Sequence, residues 1–127
     1  MRKWLFCLAA AFCLTLTGLA WAEKYVPDPD AGHKLQSATQ PITLVARIGH
    51  SLNHGGYYVM NNPRRQSGNK TIVNQNYKVL KALHQQDQAV TIQGRVNPLD
   101  FLANYIVIDR INGRPYHGNR APLVPVP

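Results

Sequence analysis

His50 and His54 stand four residues apart in GHSLNHGGYY, residues 49–58, the spacing at which two imidazoles on one helical face can share a metal ion. The neighbours argue against a helix: Asn53, Gly55 and Gly56 are turn residues, and the runs on either side are β-rich, so the pair is expected on a loop, where side chains four apart need not converge. A zinc site takes three or four ligands. With no cysteine after Cys13, the further candidates are His33, His84, His117 and a few scattered carboxylates, so neither a metal nor any other cofactor is expected. Nucleophilic catalysis has as little support. There is no G-x-S-x-G and no cysteine–histidine pairing, and Asp87, Asp100 and Asp109, which could orient a base such as His50, are isolated from one another. The chain is expected to have no catalytic residue.

Binding chemistry is better represented. Arg47, Tyr57, Tyr58, Arg64, Arg65, Lys70 and Tyr77 surround the two histidines in sequence. Guanidinium forks grip phosphate or carboxylate in bidentate fashion and aromatic rings offer stacking area, a combination suited to planar or anionic ligands.

The elements that must position these groups follow from periodicity. ITLVARIGH sets Ile42, Leu44, Ala46 and Ile48 against Thr43, Val45 and Arg47, the period of a half-buried strand. GYYVMN and KTIVNQNY are two further strands, with the turn-rich NNPRRQSGN between them. In NYKVLKALHQQDQ the period changes. Val79, Leu80 and Leu83 fall on one helical face, Lys78, Lys81 and Gln85 face out, and Asn76 stands where an N-cap belongs. AVTIQGRV and NYIVIDRI supply two more strands, and Asn112–Gly113 bends the chain after them. The ends differ: 23–40 carries Pro27, Pro29 and Gly32 without periodicity and reads as a flexible arm, while 118–127, with Pro122, Pro125 and Pro127, reads as an extended tail. No internal repeat is present.

Residues 1–22 have the form of a secretory signal peptide: Arg2 and Lys3, an apolar run, then Ala20 and Ala22 flanking Trp21. Cleavage after Ala22 leaves 105 residues without cysteine or tryptophan, one small domain held by its core alone, as suits a periplasmic or secreted protein outside the disulfide scaffolds. Twelve of the 14 basic residues and all 6 acidic ones follow the leader, a net charge of +6. That excess favours anionic partners, which after export means lipid headgroups, acidic glycans or an acidic protein face, with nucleic acid unlikely.

Strand-strand-strand-helix-strand-strand over 41–117 is the order of the OB-fold, a five-stranded barrel plugged by the helix between its third and fourth strands. The stretch LHQQDQAVTIQGRVNPLDFLANYIVIDRINGRPY resembles the C-terminal half of small exported bacterial OB-fold proteins, the BOF-type group among them. The resemblance implies a non-catalytic binding module with ligands lying across strands two and three, between the loops 50–56 and 97–104. The expected ligand contacts are therefore Arg47, His50, His54, Tyr57, Tyr58, Arg64, Arg65, Lys70 and Phe101. Which of Tyr57 and Tyr58 points outward depends on strand register, which the sequence leaves open. Phe101, with Leu99 and Leu102, either offers a partner an apolar contact or folds back over the barrel end. The second functional reading is a protein–protein adaptor or subunit of a cell-envelope assembly, using that loop, a sheet edge or the tail.

Overall fold

The computed structural model describes residues 24–60, 68–99 and 104–126. The elements are β1 (Tyr25–Pro27), α1 (Ala31–Ser37), β2 (Gln40–Ser51), β3 (Gly56–Met60), β4 (Lys70–Ile72), α2 (Tyr77–Gln86), β5 (Val90–Val96), β6 (Tyr105–Ile111), β7 (Arg114–Pro115) and β8 (Leu123–Pro125), with a single 3-10 turn over Leu52–His54.

β2 is 12 residues long and serves two partners, pairing antiparallel with β5 through Gln40–Ala46 and with β3 through Arg47–Ser51. β3 continues to β4 and β5 to β6. A parallel pairing of β4 with β6, Thr71 opposite Tyr105, closes the ring. The protein is thus mostly β with a closed, five-stranded, OB-fold-like barrel, as the order of periodic segments implies. Inward residues of alternating strands make the core: Ile48, Val59, Ile72, Ile92, Ile106 and Ile108. α2 inserts Leu80, fully buried, among them. Its start is fixed by Asn76, whose side chain accepts from the Val79 N–H at 3.3 Å and donates to the His117 carbonyl at 2.8 Å.

At Gly94 the chain comes too close to β6 for any side chain. A β-carbon there would overlap the Val107 carbonyl oxygen, and the β5–β6 register shifts at this point, a bulge that bends the strand around the barrel. Asn112 and Gly113 both have positive φ, 52° and 77°, which is the two-residue hairpin turn between β6 and β7.

The segment expected as a flexible arm forms a strand and a helix, and the extended C-terminal end pairs with that strand. β1 and β8 pair antiparallel, Tyr25 opposite Pro125 and Pro27 opposite Leu123, and 31–37 is helical. Seven residues do not sustain a helix in water, so α1 is held by packing: Ala31 and Ala38 lie against Val73 and Val107, with Tyr105 and Ala121 beside them. This explains why Ile106, Val107 and Ile108 are consecutively buried, because α1 covers the outward side of β6. Asp28 leads into the helix, accepting from the Asp30 N–H at 2.9 Å and from Lys34 Nζ at 2.6 Å with its side chain 5% exposed. Burial alone would raise its pKa. The hydrogen bonds from Lys34 and Asp30 and the charge of Lys34 outweigh burial and hold the carboxyl below its ordinary value. Among the described residues no helix is long and apolar enough to cross a membrane.

Candidate functional site

The register of β2 against β3 decides which tyrosine faces where. His50 is opposite Tyr57 and Gly49 opposite Tyr58, so Tyr57 shares the inward side with Val59 while Tyr58 faces out. Tyr57 is 9% exposed and packs in the core. As an expected ligand contact it is corrected to a buried floor. Tyr58 lies over Gly49, where a β-carbon would collide with its ring.

The two histidines take different partners. His50 meets Tyr57 edge to face, centroids 4.7 Å apart, and His84 at 6.3 Å, whereas His54 packs on Tyr58 at 4.5 Å. They stand against tyrosines on opposite faces of β3, and no group of three or more metal-ligating side chains occurs among the described residues. Arg47 is also otherwise engaged. Its Nη1 donates to the Asp87 carbonyl oxygen at 3.0 Å and to Asp87 Oδ1 at 3.1 Å, clamping the residue that ends α2 in the left-handed conformation. Lys70 begins β4 opposite Val59. Arg64, Arg65 and Phe101, with Leu102, lie outside the described residues. Leu99, at the near end of the second loop, is 93% exposed.

The first loop is not bare on the side that faces the chain's C-terminal end. Leu123 N–H donates to the Gly55 carbonyl at 2.9 Å, and Pro122 sits where a Gly55 β-carbon would have to go. A cavity of about 170 Å³ remains, bounded by Leu52, Asn53 and Asn104 from the two loops and by Asp28, Pro122 and Leu123 from the terminal segments.

A different grouping forms where α2 meets the β2–β3 hairpin. Tyr77, Leu80 and His84 recur at i, i+3 and i+7, so the helix that buries Leu80 presents a tyrosine and a histidine on the same side. Tyr57 lies 6.0 Å from Tyr77 and 6.1 Å from His84, centroid to centroid. The Arg120 guanidinium stands 5.1 Å from the Tyr77 centroid, within cation–π range. His84 Nδ1 is 2.9 Å from the Ile48 carbonyl, which places the proton of the neutral ring on Nδ1 and leaves Nε2 as an acceptor, or a second donor when the ring is charged. Underneath, the buried Gln75 side chain ties Tyr57 in place, donating from Nε2 to the Tyr57 carbonyl at 2.7 Å and accepting from its N–H at 3.3 Å. The outcome is a rim of two imidazoles and one guanidinium around two phenol rings.

Three of the four described carboxylates are paired elsewhere. Among the described residues, Asp28 pairs with Lys34, Asp87 with Arg47, and Asp109 with Arg95 through a two-pronged fork at 3.0 Å on each arm. The Asp109 hydrogen bonds raise the Arg95 pKa despite some desolvation.

Of this rim, His50 and the two tyrosines stand near one another in the sequence reading, and His84 enters it only as a scattered metal candidate. The helical spacing from Tyr77 to His84 could have revealed both. Arg120 and Gln75 carried no such signal, Arg120 lying in a proline-rich end and Gln75 in the polar run NQN. A second depression lies on the opposite flank of α2, about 640 Å³, between Val79 and Leu83 on one side and Ile111 to His117 on the other. Tyr116 closes its floor, and its hydroxyl donates to the Asn74 carbonyl at 2.6 Å. Burial pushes this phenol well above its ordinary pKa, so it stays neutral. Compared with protein families, characterised proteins and solved structures, the chain gives no match. The class is therefore defined by the fold alone, an OB-fold-like β-barrel, and function rests on the chemistry of the rim.

Proposed function

We propose that the protein is an exported, non-catalytic binding module that takes an anionic ligand, small or polymeric, at the rim formed by His50, His84, Tyr77 and Arg120 over the buried Tyr57. The observation that carries this reading is the gathering of three basic side chains around two aromatic rings, while Asp28, Asp87 and Asp109 are paired with other cations. Such a surface supplies charge-assisted donors and a stacking platform together. The non-catalytic part of the reading rests on the sequence, which holds no G-x-S-x-G and no cysteine–histidine pairing. Export is the expectation of the leader.

Calorimetry with pyrophosphate and with a sulfated oligosaccharide tests the proposal. Arg120→Ala is expected to weaken binding about three- to ten-fold, His50→Ala with His84→Ala more, and all binding to fall as salt rises. Unchanged affinity in both variants, or binding indifferent to salt, refutes it. A preference for a thymidine oligonucleotide over both probes would redirect it to single strands. The second reading, an envelope adaptor, is favoured by Leu99 at 93% exposure. Loss of a captured envelope partner on Leu99→Ser would support it.

A further inference from the structure

α2 is apolar on more than its core-facing side. Leu80 enters the barrel and Leu83 packs partly against the same core, but Val79, one turn before Leu83, keeps 39% of its surface exposed, and Val79 and Leu83 together line one wall of the 640 Å³ groove. The opposite wall is the β6–β7 hairpin, with Ile111 buried at the bottom and Pro115 on the side. Pro115 has no N–H to offer a further strand, so this wall presents ring and methylene surface rather than a pairing edge.

The charge of the groove has one sign. Its basic side chains are Arg114 and His117, and no carboxylate lines it among the described residues. Asp109, the acid of the adjoining strand, is held in the fork with Arg95, and Arg110 turns to the Gly113 carbonyl. Neither Arg114 nor His117 has a side-chain hydrogen bond or ion pair among the described residues. Two of the polar side chains lining the groove are already committed, Asn76 to the cap of α2 and Asn112 to the Thr91 N–H. What remains is an apolar slot with a cationic lip. Its volume falls within the range of pockets that take small molecules, roughly 300–1,000 Å³, and is small for a folded partner.

We propose that this groove is a second binding site, for a small amphiphile with an aromatic or aliphatic body and one anionic head: the body lies between Val79, Leu83 and Pro115, and the head meets Arg114 and His117. It does not depend on the rim site, which lies on the other flank of α2.

The probes are 8-anilinonaphthalene-1-sulfonate and its uncharged counterpart N-phenyl-1-naphthylamine, which share a ring system and differ in the sulfonate, titrated by fluorescence with the fold checked by circular dichroism. The intact protein should bind the sulfonate saturably and about ten-fold tighter than the neutral compound, the worth of one charge-assisted contact. Arg114→Ala should reduce that preference to about three-fold or less. Val79→Asp, at a partly exposed position, should abolish binding of the sulfonate without unfolding the helix, and Lys81→Ala, which removes a cation from α2 outside the groove, should change nothing. Equal affinity for the two probes, no effect of Arg114→Ala, or sulfonate-induced amide shifts confined to His50, Tyr57 and His84 would each overturn the proposal. So would concentration-dependent dimerisation reversed by Val79→Asp, because the groove would then be a surface for a second copy of the chain.

Discussion

Replacing Gln75 by leucine strips three hydrogen bonds from the interior. The side chain is fully buried, with Nε2 donating to the carbonyls of Tyr57 at 2.7 Å and Ile72 at 2.8 Å and Oε1 accepting from the Tyr57 N–H at 3.3 Å. Each bond contributes about 1 kcal/mol net, the long one less, so the bonds alone amount to about 2–3 kcal/mol. The abandoned carbonyls add about 1 kcal/mol or more each where water cannot reach them, and the leucine methyls return part of this through apolar contact. The expected loss is about 3 kcal/mol from a total of about 5–15 kcal/mol, with the melting temperature down by roughly 10–25 °C. Urea unfolding followed by circular dichroism measures it. Gln75→Asn, polar but one methylene too short to reach, should lose a similar amount and so separate hydrogen bonding from polarity. A loss below about 1 kcal/mol in both variants would refute the claim that this amide ties β3 to β4.

Two glycines make a matched pair. Gly94→Ala drives a β-carbon into the backbone oxygen of Val107 and should cost about 2 kcal/mol or more, whereas Gly49→Ala meets only the ring end of Tyr58, which can swing aside, and should cost less than about 1 kcal/mol; equal losses in thermal melts would refute the distinction. Asp28 has a folded pKa below its unfolded value, so its ionised form stabilises the protein above the ordinary carboxylate range, and that contribution is lost as the pH falls through the folded value. Asp28→Asn should therefore be less stable than the parent at pH 7, by about 1–3 kcal/mol given that Lys34 remains partly solvated, with the gap closing below about pH 4. Parallel stability curves from pH 2 to 7 would show that the pair is inert.

The β-rich class, the order of the barrel strands and the start of α2 were legible because they rest on local rules. Alternation along 42–48 and 90–96, the change of period after Tyr77, Asn76 at the cap position and Asn112–Gly113 at the hairpin all act within a few residues of where they are read. α1 and the β1–β8 ribbon were not legible, since seven helical residues and three-residue strands hold together only once Val107, Pro122 and Gly55 are beside them. The same division runs through the candidate site.

That basic and aromatic side chains would gather on a sheet with an anionic ligand in view follows from composition and spacing. Which of them gather does not. A one-residue shift of β3 would exchange Tyr57 for Tyr58, and nothing in GGYYVM selects between them; the pairing of His50 with Tyr57 and the amide of Gln75, 18 residues downstream, make that choice. Likewise Arg47 reads as a ligand contact until α2 brings Asp87 to it from 40 residues away, and Arg120 reads as part of a tail until the chain returns it to Tyr77. Local chemistry names the kinds of group available, and the long-range closure of the barrel determines which of them meet.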